Sequence, residues 1–357
     1  MSQDFLEPRF DDVTFGPLED ADFAGISRLI TRMSDHRGIR LRDKSEAYYR
    51  WMYLANPAGP AVVHSARLDG EVVASFAVAP KRFQVGGERV TVGKTMDMFT
   101  DPAFQGKGLM ARCTTEVFDR AEEAGMAGWC VTPSVHSYPI FTRRWGYDED
   151  LHVIYRARIL RYAPVLAAML KPAWLGRAIG RVAGGVARLF SRTRAPVEVE
   201  PLEDFGEEAD RLWAEVGPGY PVAIVRDAAY LQWRYVANPD QYTILGLRRD
   251  GHLMGIVVLA ETVRRGVRVG EVVDFVCGVD DDTTFRQLID AAIHHSRARG
   301  HALVQAWSIR STALDRRIRG AGLRLRRTDV KFLTSPGLRG MADPDAWLLT
   351  QGDGNDV

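Results

Sequence analysis

A short loop with two glycines is the segment of this sequence whose residue types most directly indicate chemistry. Residues 105–108 read Gln-Gly-Lys-Gly and lie between an apolar run that ends at Thr100 and a helical pattern that begins at Leu109. Glycine permits backbone conformations that bring N–H groups together, and the start of a helix adds unpaired N–H groups with a partial positive charge. Lys107 adds a full positive charge. The pattern predicts a phosphate-binding loop, and a plain strand-to-helix turn is the alternative when the loop is considered alone.

Other motifs that bind phosphate or metal have spacings that this chain lacks. The P-loop spacing is absent, and a dinucleotide fingerprint would need one more glycine. The eight histidines show no His-x-x-x-His spacing and no nearby cysteine partner, so we expect no metal site. Three cysteines without metal-ligand spacing, and an N-terminus without a signal-peptide pattern, favour a cytoplasmic protein. The net charge of +1 indicates no general affinity for nucleic acid.

The sequence repeats itself at an offset of 182 residues. Residues 48–57 and 230–239 share Tyr, Trp, Tyr, Ala, Asn and Pro in register, and an Asp-Gly turn pair follows each segment at an equivalent place. Further along, Asp97 in one apolar run matches Asp274 in another. The repeat predicts two related domains of about 150 residues each.

Both copies show the same predicted order of secondary structure. In the first copy it comprises a helix near 23–33, strands near 62–68, 72–80 and 90–100, a helix at 109–124, a strand at 128–132, a short helix near 138–144 and a strand from 147. Strands interspersed with helices predict an α/β fold with a mixed sheet.

The glycine loop resembles motif A of the GNAT acetyltransferase superfamily, a Gln/Arg-x-x-Gly-x-Gly/Ala segment that follows a strand. Gln105 and Gly108 match this pattern, whereas Met110 departs from the final glycine or alanine. Residues 145–147, Trp-Gly-Tyr, are similar to the Gly-Phe/Tyr signature before the family's last paired strand. The resemblance covers roughly residues 10–160. It implies an α/β fold of two GNAT-like domains, each a mixed, mostly antiparallel sheet flanked by helices.

The resemblance implies an acyl-coenzyme A as the ligand of the loop. In this family the loop amides hold the coenzyme A pyrophosphate, the preceding strand pairs with pantetheine, and a strand N–H polarises the thioester carbonyl. The implied cofactor-binding residues are Met98, Phe99, Thr100, Gln105, Gly106, Lys107, Gly108, Leu109 and Met110. We expect acetyl-CoA or another acyl-CoA as the co-substrate.

Two residues are candidates for the proton transfers that an amine acceptor requires. Asp97 lies where many family members have a glutamate, and it can act as a base through a bound water. A carboxylate that only orders the strand is the alternative, because Asp274 matches it in the other copy. The family's usual acid, a tyrosine four residues before the signature glycine, is replaced by Thr142. Tyr138 is the remaining candidate for the acid, and a core or surface tyrosine is its alternative.

The second copy lacks the glycine loop. Residues 280–282 are three aspartates, which suit a helix cap but repel pyrophosphate. We therefore expect one coenzyme site per chain, with the second domain completing an acceptor cleft at the domain interface. Trp51 and Tyr53 recur in the second copy, which favours a framework role over an acceptor pocket for both.

A basic segment separates the two copies. Between Asp150 and Glu198 there are nine arginines and lysines, interleaved with apolar residues, and no acidic residue. The predicted boundaries are a first domain at 10–157, a basic amphipathic linker at 158–196 and a degenerate GNAT-like domain at 197–337. Residues 156–194 are suited to peripheral contact with the inner face of an anionic membrane. An interdomain linker with solvated arginines is the alternative, and we expect no nucleic-acid partner.

Together these features predict an acyl-CoA-dependent N-acyltransferase in which an amine attacks the thioester directly. The expected acceptor is a primary amine on a small molecule, a sugar or a membrane-linked precursor. A Fem-type aminoacyl-tRNA-dependent transferase also has paired GNAT-like domains, but the intact coenzyme loop disfavours it. A non-catalytic acyl-CoA sensor or scaffold is the other alternative, and Thr142 favours it.

Overall fold

Two Asp-Gly turns close β-hairpins at equivalent places in the two halves of the chain. Asp69 and Gly70 have φ angles of 51° and 80°, and Asp250 and Gly251 have 50° and 79°. Positive φ at both central residues is the type I′ turn, whose twist matches that of the flanking strands. Aspartate tolerates this conformation better than other side chains, and glycine adopts it freely. Each turn therefore fixes the register of its own hairpin, and the two hairpins occupy equivalent places in the two halves.

The computed structural model describes residues 12–37, 44–190, 197–341 and 343–354. Residues 10 and 11 of the predicted first domain, and residues 191–196 of the predicted linker with Arg192 and Arg194, lie outside the described residues. The strands are β1 (Thr14–Pro17), β2 (Val62–Leu68), β3 (Glu71–Val85), β4 (Glu88–Thr100), β5 (Trp129–Val131), β6 (Asp148–Ile159), β7 (Glu200–Pro201), β8 (Val222–Ile224), β9 (Thr243–Arg249), β10 (His252–Arg264), β11 (Val267–Val276), β12 (Leu303–Ile309), β13 (Leu325–Thr334) and β14 (Trp347–Leu348).

The described helices lie between these strands, and α1 and α3 correspond to the helices predicted near 23–33 and at 109–124. They are α1 (Asp22–Arg37), α2 (Glu46–Leu54), α3 (Leu109–Glu123), α4 (Tyr162–Met169), α5 (Ala173–Phe190), α6 (Glu207–Val216), α7 (Ala228–Leu231), α8 (Asp282–Ala298) and α9 (Ala313–Gly320). The predicted short helix near 138–144 is a π-helical turn at Ile140–Arg144. Helix α2, which carries Trp51 and Tyr53, was not predicted from the sequence. Its start does have a recognisable signal, because the N-cap Ser45 accepts a hydrogen bond from the Tyr48 N–H.

All fourteen described strands belong to one sheet, which joins the two halves. The main order is β1-β2-β3-β4-β5-β13-β6-β12-β11-β10-β9-β7, with β8 pairing to β3 and β14 to β8. Most neighbours are antiparallel, and β4–β5, β11–β12 and β8–β14 are parallel. The predicted α/β fold of two GNAT-like domains with mixed, mostly antiparallel sheets is confirmed. The domains share a continuous sheet, which the sequence analysis did not foresee.

The last strand of each half is exchanged with the other half. β13 of the second half pairs with β5 of the first, and β6 of the first half pairs with β12 of the second. The two exchanged strands also pair with each other in the middle of the sheet. Consequently neither half completes its sheet from its own residues.

Equivalent residues of the two repeats meet at the interface between the halves. The indole rings of Trp51 and Trp233 stack with centroids 5.0 Å apart. The Trp51 Nε1–H donates to the Trp233 carbonyl at 2.8 Å, and the Trp233 Nε1–H donates to the Trp51 carbonyl at 3.2 Å. Such reciprocal bonds indicate an approximate twofold axis between the halves.

Helix α3 covers one face of the first half's sheet. Its buried residues Leu109, Cys113, Val117 and Ala121 recur every fourth position, so they form one apolar face. They pack on a cluster that includes Phe76 of β3. This packing fixes the start of α3 beside the end of β4.

Candidate functional site

The glycine loop forms the connection between β4 and α3. After β4 ends at Thr100, a turn at Pro102–Phe104 leads to Gly106 and Gly108, whose φ angles are 76° and 84°. Such angles strain any residue with a Cβ, so the turn requires glycine at both places. Gly108 is the N-cap of α3 and provides no side-chain cap. The first-turn N–H groups of α3 therefore lack a side-chain acceptor and remain available to an anion.

Next to this loop, β4 and β5 diverge. The two parallel strands pair only at Gly93–Trp129 and Lys94–Cys130, after which β4 continues for six residues to Thr100. A Cβ on Gly93 would lie 2.5 Å from the Trp129 ring, so glycine allows the strands to meet closely before they separate. The opening is a cleft of about 420 Å³.

The cleft is lined on one side by β4 and on the other by residues after β5. Apolar side chains from α1 and the π-helical turn complete its walls. Its lining includes Ile30, Met33, Lys44, Phe76, Thr95, Met96, Asp97, Met98, Phe99, Thr100, Gln105, Met110, Val131, Thr132, Pro133, Ser134, His136, Ser137, Ile140 and Phe141.

Most predicted cofactor-binding residues gather at this cleft or its mouth. Met98, Phe99, Thr100, Gln105 and Met110 line it, and the exposed residues Gly106, Lys107 and Gly108 connect the lining residues Gln105 and Met110. Leu109 differs, because its side chain is buried in the core beneath α3. The Gln105 Nε2–H donates to the Thr100 carbonyl at 3.2 Å, which holds the loop against the end of β4.

Asp97 lies in the cleft wall at a bulge in β4. It and Met98 together oppose the single residue Phe76 of β3, and Asp97 has a φ angle of 51°. Its Oδ1 accepts from the Lys44 Nζ at 3.1 Å, and its Oδ2 accepts from the Tyr53 hydroxyl at 2.8 Å. Burial, together with the Asp97 charge, holds the pKa of Tyr53 well above its usual range. Tyr53 therefore stays protonated and donates to the carboxylate.

The second half has an equivalent carboxylate that is more deeply buried. Asp274 accepts from the Tyr235 hydroxyl at 2.7 Å and from the Arg226 Nε at 2.9 Å. Lys44 and Arg226 are 182 residues apart, the same offset that relates Tyr53 to Tyr235. The aspartates and tyrosines are identical in the two repeats and could be matched from the sequence, whereas Lys44 and Arg226 differ in type and were not matched.

Tyr138, the other predicted catalytic residue, directs its hydroxyl to a different group. The hydroxyl donates to the Glu149 carboxylate, which also accepts from Lys331 of β13. The Lys331 Nζ lies 5.1 Å from the centroid of the Tyr138 ring. Thr142, at the family's tyrosine position, donates through its Oγ1 to the Tyr138 carbonyl at 3.0 Å.

The structure adds a polar group of cleft residues that sequence analysis missed. After β5, the Ser134 N–H donates to the Ser137 Oγ at 3.0 Å, and the Ser137 N–H donates to the Ser134 Oγ at 3.2 Å. His136, between them, is exposed and lines the cleft. The Pro-Ser-x-His-Ser stretch after a short strand was the available signal for this loop.

The family comparison agrees with this geometry. Residues 33–149 match the model of the acetyltransferase (GNAT) domain. The matched stretch lies in the N-terminal half and includes the glycine loop, the start of α3 and the divergent strands β4 and β5. No curated protein sequence matches the chain.

Solved structures extend the likeness over both halves. Saccharomyces cerevisiae N-myristoyltransferase with bound myristoyl-CoA aligns over 92% of this chain and 83% of its own, with a TM-score of 0.64 and 9% identity. A GCN5-related N-acetyltransferase from Anabaena variabilis aligns over 90% of this chain and 72% of its own, at 0.59 and 12%. A probable N-acyltransferase from Enterococcus faecalis aligns over 92% of this chain and 74% of its own, at 0.61 and 11%. At these identities the likeness establishes the tandem GNAT fold.

Within residues 12–37, 44–190, 197–341 and 343–354, no group of three His, Cys, Asp or Glu side chains is placed to hold a metal ion. Across the same ranges, every helix is too short or too polar to cross a bilayer.

Proposed function

We propose that the first half binds an acyl-CoA and transfers its acyl group to a primary amine. The observation that carries this proposal is the divergence of β4 and β5 directly beside the uncapped start of α3. The divergence leaves strand groups of β4 for pantetheine, and the α3 amides with Lys107 provide positive charge for pyrophosphate. Acetyl-CoA is the simplest donor, and the apolar cleft walls also suit longer acyl groups.

In the proposed reaction, the neutral amine attacks the thioester carbonyl carbon and the carbon–sulfur bond breaks. A backbone N–H of β4 at Met98–Thr100 stabilises the developing oxyanion. The proton lost by the amine passes through water to Asp97, and coenzyme A leaves as a thiolate that then gains a proton. We retain Tyr138 as a candidate for that final proton, delivered from the Tyr138–Glu149–Lys331 group.

For the acceptor we propose a primary amine on a small molecule or a sugar. The hydroxyls of Ser134 and Ser137 and the exposed His136 line the cleft opposite β4, where they can contact a polar acceptor. We also propose the domain boundaries 10–157, 158–196 and 197–337, with the exchanged strands β6 and β13 crossing between the two halves.

A second candidate is an acyl-CoA-binding protein that performs no transfer. One observation favours it. Thr142 occupies the position of the family's acid tyrosine, and the nearest tyrosine in the sequence, Tyr138, donates its hydroxyl to Glu149.

Isothermal titration of the wild type with acetyl-CoA tests donor binding. We expect Gly108→Asp to weaken binding by about 100-fold, because a carboxylate would face the pyrophosphate and a φ of 84° would be strained. Gly125→Asp is the matched control, since Gly125 has a φ of 81° at the far end of α3 and should leave affinity unchanged. Absence of binding by the wild type to any acyl-CoA would reject the proposal.

Thiol release against a panel of amines separates transfer from binding alone. If the protein transfers the acyl group, we expect amine-dependent release of free coenzyme A by the wild type and none by Gly108→Asp. Tight binding of acyl-CoA with no release across the panel would favour the second candidate.

A further inference from the structure

The helical hairpin between the two halves exposes an unusual amount of apolar surface. Of the eleven large apolar side chains that the described residues leave exposed, seven lie on α4, α5 and the turn between them: Met169, Leu170, Trp174, Leu175, Ile179, Val182 and Val186. Met169, Trp174 and Val182 are 71%, 66% and 70% exposed. Concentrated apolar exposure of this kind marks a surface that binds something.

The packing of the hairpin explains why this face is turned outward. Gly176 and Gly180 of α5 lie directly against α4, and a Cβ at either place would come within 2.5 Å of α4 backbone atoms. The glycines therefore use the inner face of α5 for a close helix–helix contact. Leu175, Ile179 and Val182 follow at intervals of four and three residues, so they form a separate stripe on α5. That stripe faces away from the contact with α4.

Behind the hairpin lies a strongly basic groove. It has a volume of about 1110 Å³ and lies between the hairpin, the end of β6 and the second half. Its lining includes the five arginines Arg158, Arg161, Arg181, Arg297 and Arg324, together with His301. Among the described residues that line it there is no carboxylate. Arginines without a lining carboxylate suit phosphate groups, which accept their planar pairs of N–H donors.

We propose that the α4–α5 hairpin and the arginine groove form a docking site for an anionic phospholipid bilayer. The apolar stripe and Trp174 enter the boundary between headgroups and acyl chains, and the arginines bind lipid phosphates. This proposal is independent of the acyl-transfer proposal. The site does not include Arg156, the first residue of the predicted membrane segment 156–194, because Arg156 is paired with Asp315 at 2.7 Å inside the sheet.

Charge distinguishes a bilayer from a second copy of the chain as the occupant. From residue 151 to residue 197 the sequence has no acidic residue. Two copies that met through this face would bring basic surfaces together without compensating carboxylates, which is unfavourable. An anionic bilayer supplies both the missing negative charge and an apolar phase.

The sheet topology places this site at the edge where the cleft opens. β4 and β5 are parallel, and β13 is antiparallel to both β5 and β6. Hence β4, β5 and β6 run in one direction, and their carboxyl ends lie at the same edge of the sheet. The glycine loop follows β4 and the hairpin follows β6. In the order of the sheet, β4 and β6 are three strand spacings apart, roughly 15 Å where the strands are paired.

Co-sedimentation of the full chain with vesicles tests the docking site. We expect binding to phosphatidylcholine vesicles that contain phosphatidylglycerol, and much weaker binding to phosphatidylcholine alone or in high salt. Trp174→Glu with Val182→Glu should lower partitioning by about tenfold, as should Arg181→Glu with Arg324→Glu. Brominated lipids should quench wild-type fluorescence more than that of Trp174→Phe.

Matched changes elsewhere on the surface serve as controls. Val263→Glu removes an apolar side chain that is 62% exposed on β10, and Arg286→Glu reverses an exposed charge on α8, so both should bind vesicles like the wild type. Circular dichroism verifies that each variant is folded. Absence of wild-type binding to the anionic vesicles overturns the proposal. A dimer in sedimentation velocity that Val182→Glu dissociates, without vesicle binding, would assign the face to a second copy instead.

Discussion

The two halves of this protein share a framework but differ at the place where a coenzyme would bind. In the first half, β4 and β5 separate after two paired residues and α3 begins without a side-chain cap. In the second half, β11 and β12 pair over four residues, and Asp281 caps α8 by accepting from the Thr284 N–H at 2.9 Å. The comparison shows that the two copies keep the same sheet order while they differ in strand pairing and in the cap of the following helix.

The space beside the second half's carboxylate is also occupied by the chain itself. Residues 350–354 run along β11, where Asp353 accepts from the Arg226 Nη2 at 2.9 Å and the Arg234 Nε donates to the Gly352 carbonyl at 3.1 Å. A Cβ on Gly352 would lie 2.0 Å from the Tyr235 hydroxyl oxygen, so only glycine fits there. Burial raises the pKa of Asp353, while the neighbouring Arg226 opposes that shift. The second half thus fills the space beside Asp274 with its own C-terminal segment.

The largest difference between the halves should appear when each central cation is removed. Arg226→Met leaves Asp274 and Asp353 buried without their partner, and it should lower the free energy of unfolding by about 4 kcal/mol. Lys44→Met leaves only Asp97, so about 2 kcal/mol is expected. Urea unfolding of both variants measures this. Equal losses would mean that the C-terminal segment adds nothing to the second network.

A smaller but more specific difference should separate the two aspartates in catalysis. If Asp97 takes the proton, Asp97→Asn should lower kcat by about 100-fold. Asp274→Asn should destabilise the protein while leaving kcat of the folded enzyme nearly unchanged. The measurement is the rate of amine-dependent thiol release. Similar kcat values for the two variants would assign Asp97 to the framework.

The smallest expected difference lies at the interface, where the halves should behave alike. Trp51→Phe and Trp233→Phe each leave one buried carbonyl without its donor, at a cost of about 1 to 2 kcal/mol. Because the rings stack, the double variant should show a coupling of about 1 kcal/mol. Urea unfolding of the four proteins in this cycle provides the values. Strongly unequal single-variant losses would contradict the approximate twofold relation.

Local patterns in the sequence were sufficient for much of the fold and for the binding loop. The Asp-Gly turns, the β2 boundaries and the start of α3 at Leu109 follow from residue types whose preferences act over a few positions. The repeated Tyr-x-x-Trp segment predicted the tandem architecture, because so many matches in one register are unlikely by chance. Tyr53 and Trp51 are buried, in agreement with their predicted framework role.

Long-range pairing was beyond the reach of those local patterns. The exchange of β6 and β13 depends on which of two equivalent sheet edges each strand joins, and local residue preferences do not distinguish those edges. The Lys44–Asp97 pair and the Tyr138–Glu149–Lys331 group join residues that are distant in sequence. The filling of the second site by residues 350–354 depends on shape, since Gly352 and Thr350 have no distinctive spacing.

The exchanged strands affect how each molecule can fold while it is being synthesised. When the ribosome has completed the first half, the edge of β5 still awaits β13, whose residues emerge about 200 positions later. Until then the nascent chain presents an unpaired strand edge, which is the kind of edge that can pair with another chain. The same pairing also makes the two halves depend on each other genetically. A gene that lost the degenerate second copy would lose β13, which completes the sheet of the copy that carries the cleft.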